Sequence, residues 1–168
     1  MPSLATWLLE HVDLLPLSDE PVTPGGAILR VLYAPTFHPW VVVTLRAFGD
    51  LAELELQSDG LTERVLLDPP HALPLLDLLP APLVAFDRNS RDGIAALAER
   101  WDGREYIVGE ISNPSPEGDA PAHQLLRRVL DFSAERISAP RHRVALAEIR
   151  RYLDDLVPPP ATRRARRR

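Results

Sequence analysis

The side chains of this sequence that could do chemistry are scattered. Five histidines, His11, His38, His71, His123 and His142, fall on separate segments, with none of the i, i+3 or i, i+4 pairings that seed a metal site. The chain has no cysteine, which excludes disulfides, thiolate zinc sites and cysteine nucleophiles together. Neither HExxH nor GxSxG nor a phosphate loop is present, and Gly25-Gly26 is an isolated doublet ahead of a strand. Asp87-Arg88-Asn89-Ser90-Arg91-Asp92-Gly93 begins like a calcium loop. The likeness ends at Arg91, a cation where a ligand belongs, and at Ala98, which stands where a bidentate glutamate is needed. The sequence therefore predicts no catalytic residue, no cofactor and no metal.

Two kinds of residue remain as contact candidates. Glu53 and Glu55 could be drafted as an acid–base pair, as could Asp154 and Asp155. Yet alternation along Leu51 to Gln57 puts Glu53 and Glu55 on a solvent side, where nothing separates their proton affinities. They read as exposed acids available to a basic partner. Between two apolar segments, Thr36 to Trp40 forms a turn carrying Phe37, His38 and Trp40, whose rings either anchor a contact or close the end of the core.

Charge is distributed unevenly. Residues 1 to 122 hold 7 arginines against 19 acids, whereas residues 123 to 168 hold 12 against 5, and the chain contains no lysine. The body is acidic and the C-terminal end basic, an asymmetry that bears on partners more than on fold. Arg163, Arg164, Arg166, Arg167 and Arg168 lie behind three prolines. They read as a disordered tail over residues 158 to 168, or as a salt-sensitive attachment to nucleic acid.

These residues need a scaffold, and 168 residues with ordinary apolar content suffice for one domain, placed at residues 1 to 157. A capped amphipathic helix is expected near Leu4 to Leu15, with Ser3 as cap and Leu4, Trp7, Leu8, Val12 and Leu15 inward. It lacks the basic flank of a signal peptide and the length of a membrane span, so the expected setting is cytoplasmic with no membrane partner. Strands are expected at Ala27–Ala34, Trp40–Phe48, Leu51–Gln57 and Thr62–Leu67, joined by short turns.

The leucine-rich stretch Ala72–Leu79 reads as a short helix crossing an end of the sheet. Residues 93 to 101 have helical composition but run into Asp102-Gly103 and REYIVGEIS, a hairpin signal that predicts strand. Two helices follow. The first buries Leu125, Leu126, Val129, Leu130, Phe132, Ser133 and Ile137; the second starts at Pro140, with Val144, Ala147, Tyr152, Leu153 and Leu156 inward.

The order HPWVVVTLR, a second meander strand, RDGI, EYIVGEISNPSP and an arginine-punctuated helical pair resembles small bacterial domains of unknown function, some of them immunity proteins encoded beside toxins. The likeness covers roughly residues 27 to 155 and transfers no site residue. The expected fold is α+β: an antiparallel meander sheet of five or six strands, packed against C-terminal helices, with an N-terminal helix. The expected function is that of a non-enzymatic, immunity-like protein-interaction domain binding a basic protein through an acidic surface. The alternative is a nucleic-acid-associated protein that uses its arginine tail.

Overall fold

A computed structural model describes residues 3–86 and 93–154 of the chain. The elements run α1 (Leu4–His11), β1 (Ala27–Pro35), β2 (Val41–Phe48), β3 (Leu51–Ser58), β4 (Leu61–Leu67), α2 (Pro69–Leu76), β5 (Leu83–Phe86), β6 (Ile94–Trp101), β7 (Tyr106–Ser112), α3 (Ala120–Arg136) and α4 (Pro140–Leu153). All seven strands form one sheet in the order β4-β3-β2-β1-β6-β7-β5. Every pairing is antiparallel except β5 with β7. The fold is α+β, with one strand more than the sequence reading expected. The extra strand, β5, is only four residues long and sits behind prolines, so it carries too little alternation to register as a strand.

The turns fix the meander. Asp59 (φ 51°) and Gly60 (φ 71°) both take left-handed conformations between the paired residues Ser58 and Leu61, as a two-residue hairpin loop requires. Residues 94 to 101 do form a strand, between β1 and β7. Pairing on both sides overrides the helical preference of alanine, leucine and glutamate.

The two sheet faces are covered differently. On one, Leu29, Val31, Val43, Leu45, Leu54 and Leu56 meet α2, α3 and α4 in the main core. Helix α2 begins at Pro69 rather than Ala72 and lies on this face against β1, β2 and β3, not across an end of the sheet. Buried Ala72, Leu75 and Leu76 hold it there. Helix α4 buries His142, Leu146, Ile149 and Leu153, a stripe rotated from the expected one, so Val144 and Ala147 face outward. Its start is held from the sheet by Glu63. That carboxylate accepts bonds from the Ser138 and Ala139 backbone N–H groups, the Ser138 hydroxyl and His142 Nδ1.

On the other face, α1 packs Leu8, Leu9 and Val12 onto Leu32, Val42 and Leu97. Ser3 caps the helix as expected, accepting from Thr6 N at 3.1 Å. Trp7 and Leu15, expected inward, are exposed. Beside this apolar row runs a charged one. The strand register aligns Arg64, Glu55, Thr44, Arg30 and Glu99 across five strands. Glu99 is 1% exposed and accepts from Arg30 Nε (2.8 Å), Leu17 N (3.0 Å) and the Tyr106 hydroxyl (2.6 Å). Arg30 also donates to the Leu15 carbonyl at 2.6 Å, so the segment after α1 is bolted to the sheet through this pair.

Candidate functional site

At one end of the sheet the β1–β2 loop, the start of β6 and the end of β7 are tied together by short hydrogen bonds. The Thr36 N–H donates to the Gly93 carbonyl at 2.9 Å, and the Gly93 N–H donates back to Thr36 Oγ1 at 3.0 Å. Asn113 Oδ1 accepts from Ile94 N at 2.7 Å, while the Asn113 N–H donates to the Ile94 carbonyl at 2.8 Å. Only glycine fits at position 93, because a Cβ there would lie 1.8 Å from Asn113 Oδ1. This clamp holds the loop that presents Phe37, His38 and Trp40.

Those three contact candidates take different positions on that loop. Phe37 is 62% exposed. Trp40 is half-buried against the apolar cluster under α1, where it closes the core and still shows an edge. His38 is held from both sides: its Nδ1 lies 2.9 Å from the Tyr152 hydroxyl and its Nε2 3.5 Å from Glu148. Tyr152 meets the imidazole edge-on at 5.6 Å. Among the described residues no serine or threonine hydroxyl bonds to His38. The arrangement orients a ring without pairing it to an alcohol nucleophile of the serine-hydrolase kind.

Two clefts open on either side of His38. One, of about 460 Å³, is lined by Trp7, His11, Thr36, His38, Trp40 and Asn113 among others. The second, of about 370 Å³, lies toward α4 between His38, Pro39, Asp59, Pro140, Val144 and Glu148. Trp7 (50% exposed) and Val144 (63% exposed) line the outer parts of this end, one from α1 and one from α4. Neither was singled out as a contact from sequence. Both had been assigned to the buried stripes of their helices, because Trp7 and Val144 are apolar at helical spacing. The signal available was Leu9, which with the expected Leu8 and Val12 completes a buried stripe and leaves Trp7 exposed.

Glu53 and Glu55 do not join this end. Their sidedness on β3 was read correctly, but that face is not a solvated acid surface. Glu55 is 3% exposed and accepts from Arg64 Nε at 2.6 Å and Gln57 Nε2 at 2.7 Å. Arg46 lies 3.6 Å from both Glu53 and Glu55. Alternation told which way the side chains point; it could not tell that arginines from β2 and β4 would cover them. The calcium-loop look-alike from Asp87 to Asp92, Asp155, and tail residues Arg163, Arg164, Arg166, Arg167 and Arg168 lie outside the described residues.

Elsewhere, the groove of about 490 Å³ between α3 and α4 is lined by Arg127, Arg143 and Arg150 against Asp131 and Glu135, with Arg127 and Arg150 both paired to Asp131. Among the described residues no three histidines or acids gather as a metal site would require. Nor is any described helix long and apolar enough to cross a membrane. Burial, and next the neighbouring Glu99 carboxylate, push the Tyr106 hydroxyl well above the ordinary tyrosine value. Burial together with the charge of Asp131 does the same to Tyr33, whose hydroxyl donates to the Leu126 carbonyl at 2.8 Å. Both are structural phenols that stay protonated.

No protein-family model, no curated protein and no solved structure matches this chain.

Proposed function

We propose that the chain is a non-enzymatic, immunity-like protein-interaction domain that receives a basic partner at the Trp7–Phe37–Val144 end. One observation carries this reading. Three exposed apolar side chains, Trp7 from α1, Val144 from α4 and Phe37 from a loop clamped by hydrogen bonds, come from three elements to one end of the sheet, where two clefts share a pinned histidine. A rigid platform with aromatic anchors is what a protein contact needs, because little entropy is lost on docking. The basic partner follows from charge. Glu10 on α1, Asp13 just after it and Asp59 in the β3–β4 turn are exposed, and residues 1 to 122 carry a large acidic excess that speeds the approach of a positive protein.

The test is recovery of the tagged protein from its native cells after nuclease treatment, beside a Trp7→Ala/Phe37→Ala double variant. A protein recovered in stoichiometric amount with the wild type and lost with the double variant supports the reading. Equal recovery with both chains overturns it.

A second reading rests on the helical layer, where residues 120 to 154 carry 7 arginines against 4 acids and lead into the arginine tail. Here the tail attaches to nucleic acid. Deleting residues 158 to 168 then removes DNA binding while leaving partner recovery intact.

A further inference from the structure

We infer that the cleft between Trp7 and Trp40 is a cation-accepting pocket that takes an arginine side chain of the partner. The inference rests on the protein-interaction reading above and adds the chemistry of the residue received. Its walls are aromatic: Trp7 and Trp40 line it together with the His11 ring. His11 stacks nearly parallel on Trp7, with centroids 5.2 Å apart and planes at 14°, so the indole is braced from one side while half of the residue stays open. An indole face carries negative electrostatic potential and attracts a cation lying over it.

Thr36 Oγ1 and Asn113 Oδ1 are already engaged in the clamp with Gly93 and Ile94. The lining contains no arginine and, since the chain has no lysine, no fixed positive charge. Glu10 is exposed one turn along α1 from Trp7, on the same helix face, where it can pair with the far side of a bound cation. A planar guanidinium suits this geometry better than an ammonium, because it can stack on an indole and donate edgewise to a carboxylate at once.

The experiment titrates Nα-acetyl-arginine amide into the full chain and follows the three tryptophan indole N–H signals by NMR. Its uncharged isostere, Nα-acetyl-citrulline amide, is run in parallel. Trp101 is an internal reference, since its indole donates to the Glu20 carbonyl at 3.1 Å on a different part of the molecule. The expected result is a saturable, millimolar-range shift of the Trp7 and Trp40 signals with the arginine probe alone, Trp101 remaining still. Trp7→Ala weakens the arginine probe by about fivefold, the size of one exposed cation–π contact. Trp7→Phe retains part of that affinity, and Glu10→Gln weakens binding about twofold.

Equal shifts with the citrulline probe, movement of Trp101 with the other two, or no shift at saturating probe each overturn the inference. If the probe fails while the Trp7→Ala/Phe37→Ala variant still loses its protein partner, the interaction reading stands and the arginine assignment falls. If the probe binds while the double variant keeps its partner, the pocket is real and the contact lies elsewhere.

Discussion

Replacing Glu99 by glutamine tests how the sheet holds the segment that follows α1. The carboxylate receives the Arg30 guanidinium, the Leu17 N–H and the Tyr106 hydroxyl, all in a site almost closed to water. Glutamine keeps one acceptor but turns an N–H₂ toward donors and leaves the Arg30 charge with only Glu20 at 3.6 Å. Stranding a buried charge in this way costs about 3–5 kcal/mol, against a total stability of about 5–15 kcal/mol for an ordinary domain. At about 2–4 °C per kcal/mol for a chain of this size, the melting temperature falls by about 6–20 °C. Urea unfolding followed by circular dichroism gives the midpoint and the slope separately. A companion variant, Arg30→Met/Glu99→Leu, removes both charges and recovers most of the loss, because an apolar pair of similar volume avoids the desolvation cost. A loss below about 1 kcal/mol for Glu99→Gln, or a double variant worse than the single one, refutes the reasoning.

The remaining predictions concern other supports. For Glu63, burial alone would raise the carboxyl, but bonds from the Ser138 and Ala139 N–H groups, the Ser138 hydroxyl and His142 outweigh it and hold the value at about 2. A folded value below the unfolded one of 4.5 means that this stability is full above 4.5 and is lost as pH falls from there toward 2. Glu63→Gln removes that part of the acid dependence and costs about 1–2 kcal/mol at neutral pH, as loss of a helix cap does. Tyr33 and Tyr106 have raised values, so the stability they contribute is full below about pH 10 and declines above it. Ultraviolet titration then shows them ionising only as the chain unfolds. Gly93→Ala displaces Asn113 and costs about 1–3 kcal/mol, read as a lower melting temperature. If the tail binds DNA through Arg163, Arg164, Arg166, Arg167 and Arg168, the log–log salt slope is no steeper than about −4.5. Deleting residues 158 to 168 abolishes that binding.

Fold and site were not equally legible. Strand positions followed from alternation and turn residues, and Asp59-Gly60 marked its hairpin outright, because those signals are local. Residues 94 to 101 were legible through the hairpin that follows them, despite a composition favouring helix. β5 was not legible, since its pairing with β7 is parallel and the two lie more than 20 residues apart. Helix stripes were read correctly for most of α3, and for Leu8, Val12 and Leu153, but Trp7, Leu15 and Val144 were placed inward although they are exposed, while Leu9, Leu146 and Ile149 are buried. An apolar residue on a helix can face the core or a partner, and only the packing decides. The turn carrying Phe37, His38 and Trp40, which we propose as a contact, was singled out from residue type alone. Its second wall was missed because α1 is brought beside it by non-local contacts, including the Glu110 carboxylate accepting from Ala5 N at 3.0 Å. Glu53 and Glu55 failed as surface acids for a related reason: whether an outward carboxylate stays wet depends on arginines carried by the neighbouring strands.

The most direct test of the central claim is a hydrogen-exchange footprint of the complex between the chain and the protein recovered with it. A partner seated at the Trp7–Phe37–Val144 end adds protection at α1, at residues 36 to 40 and over the first turns of α4, and leaves β4, β5 and the exposed face of α3 unchanged. Protection confined to the free edge of β4 or to the α3–α4 groove, with α1 and residues 36 to 40 exchanging as in the free chain, contradicts it.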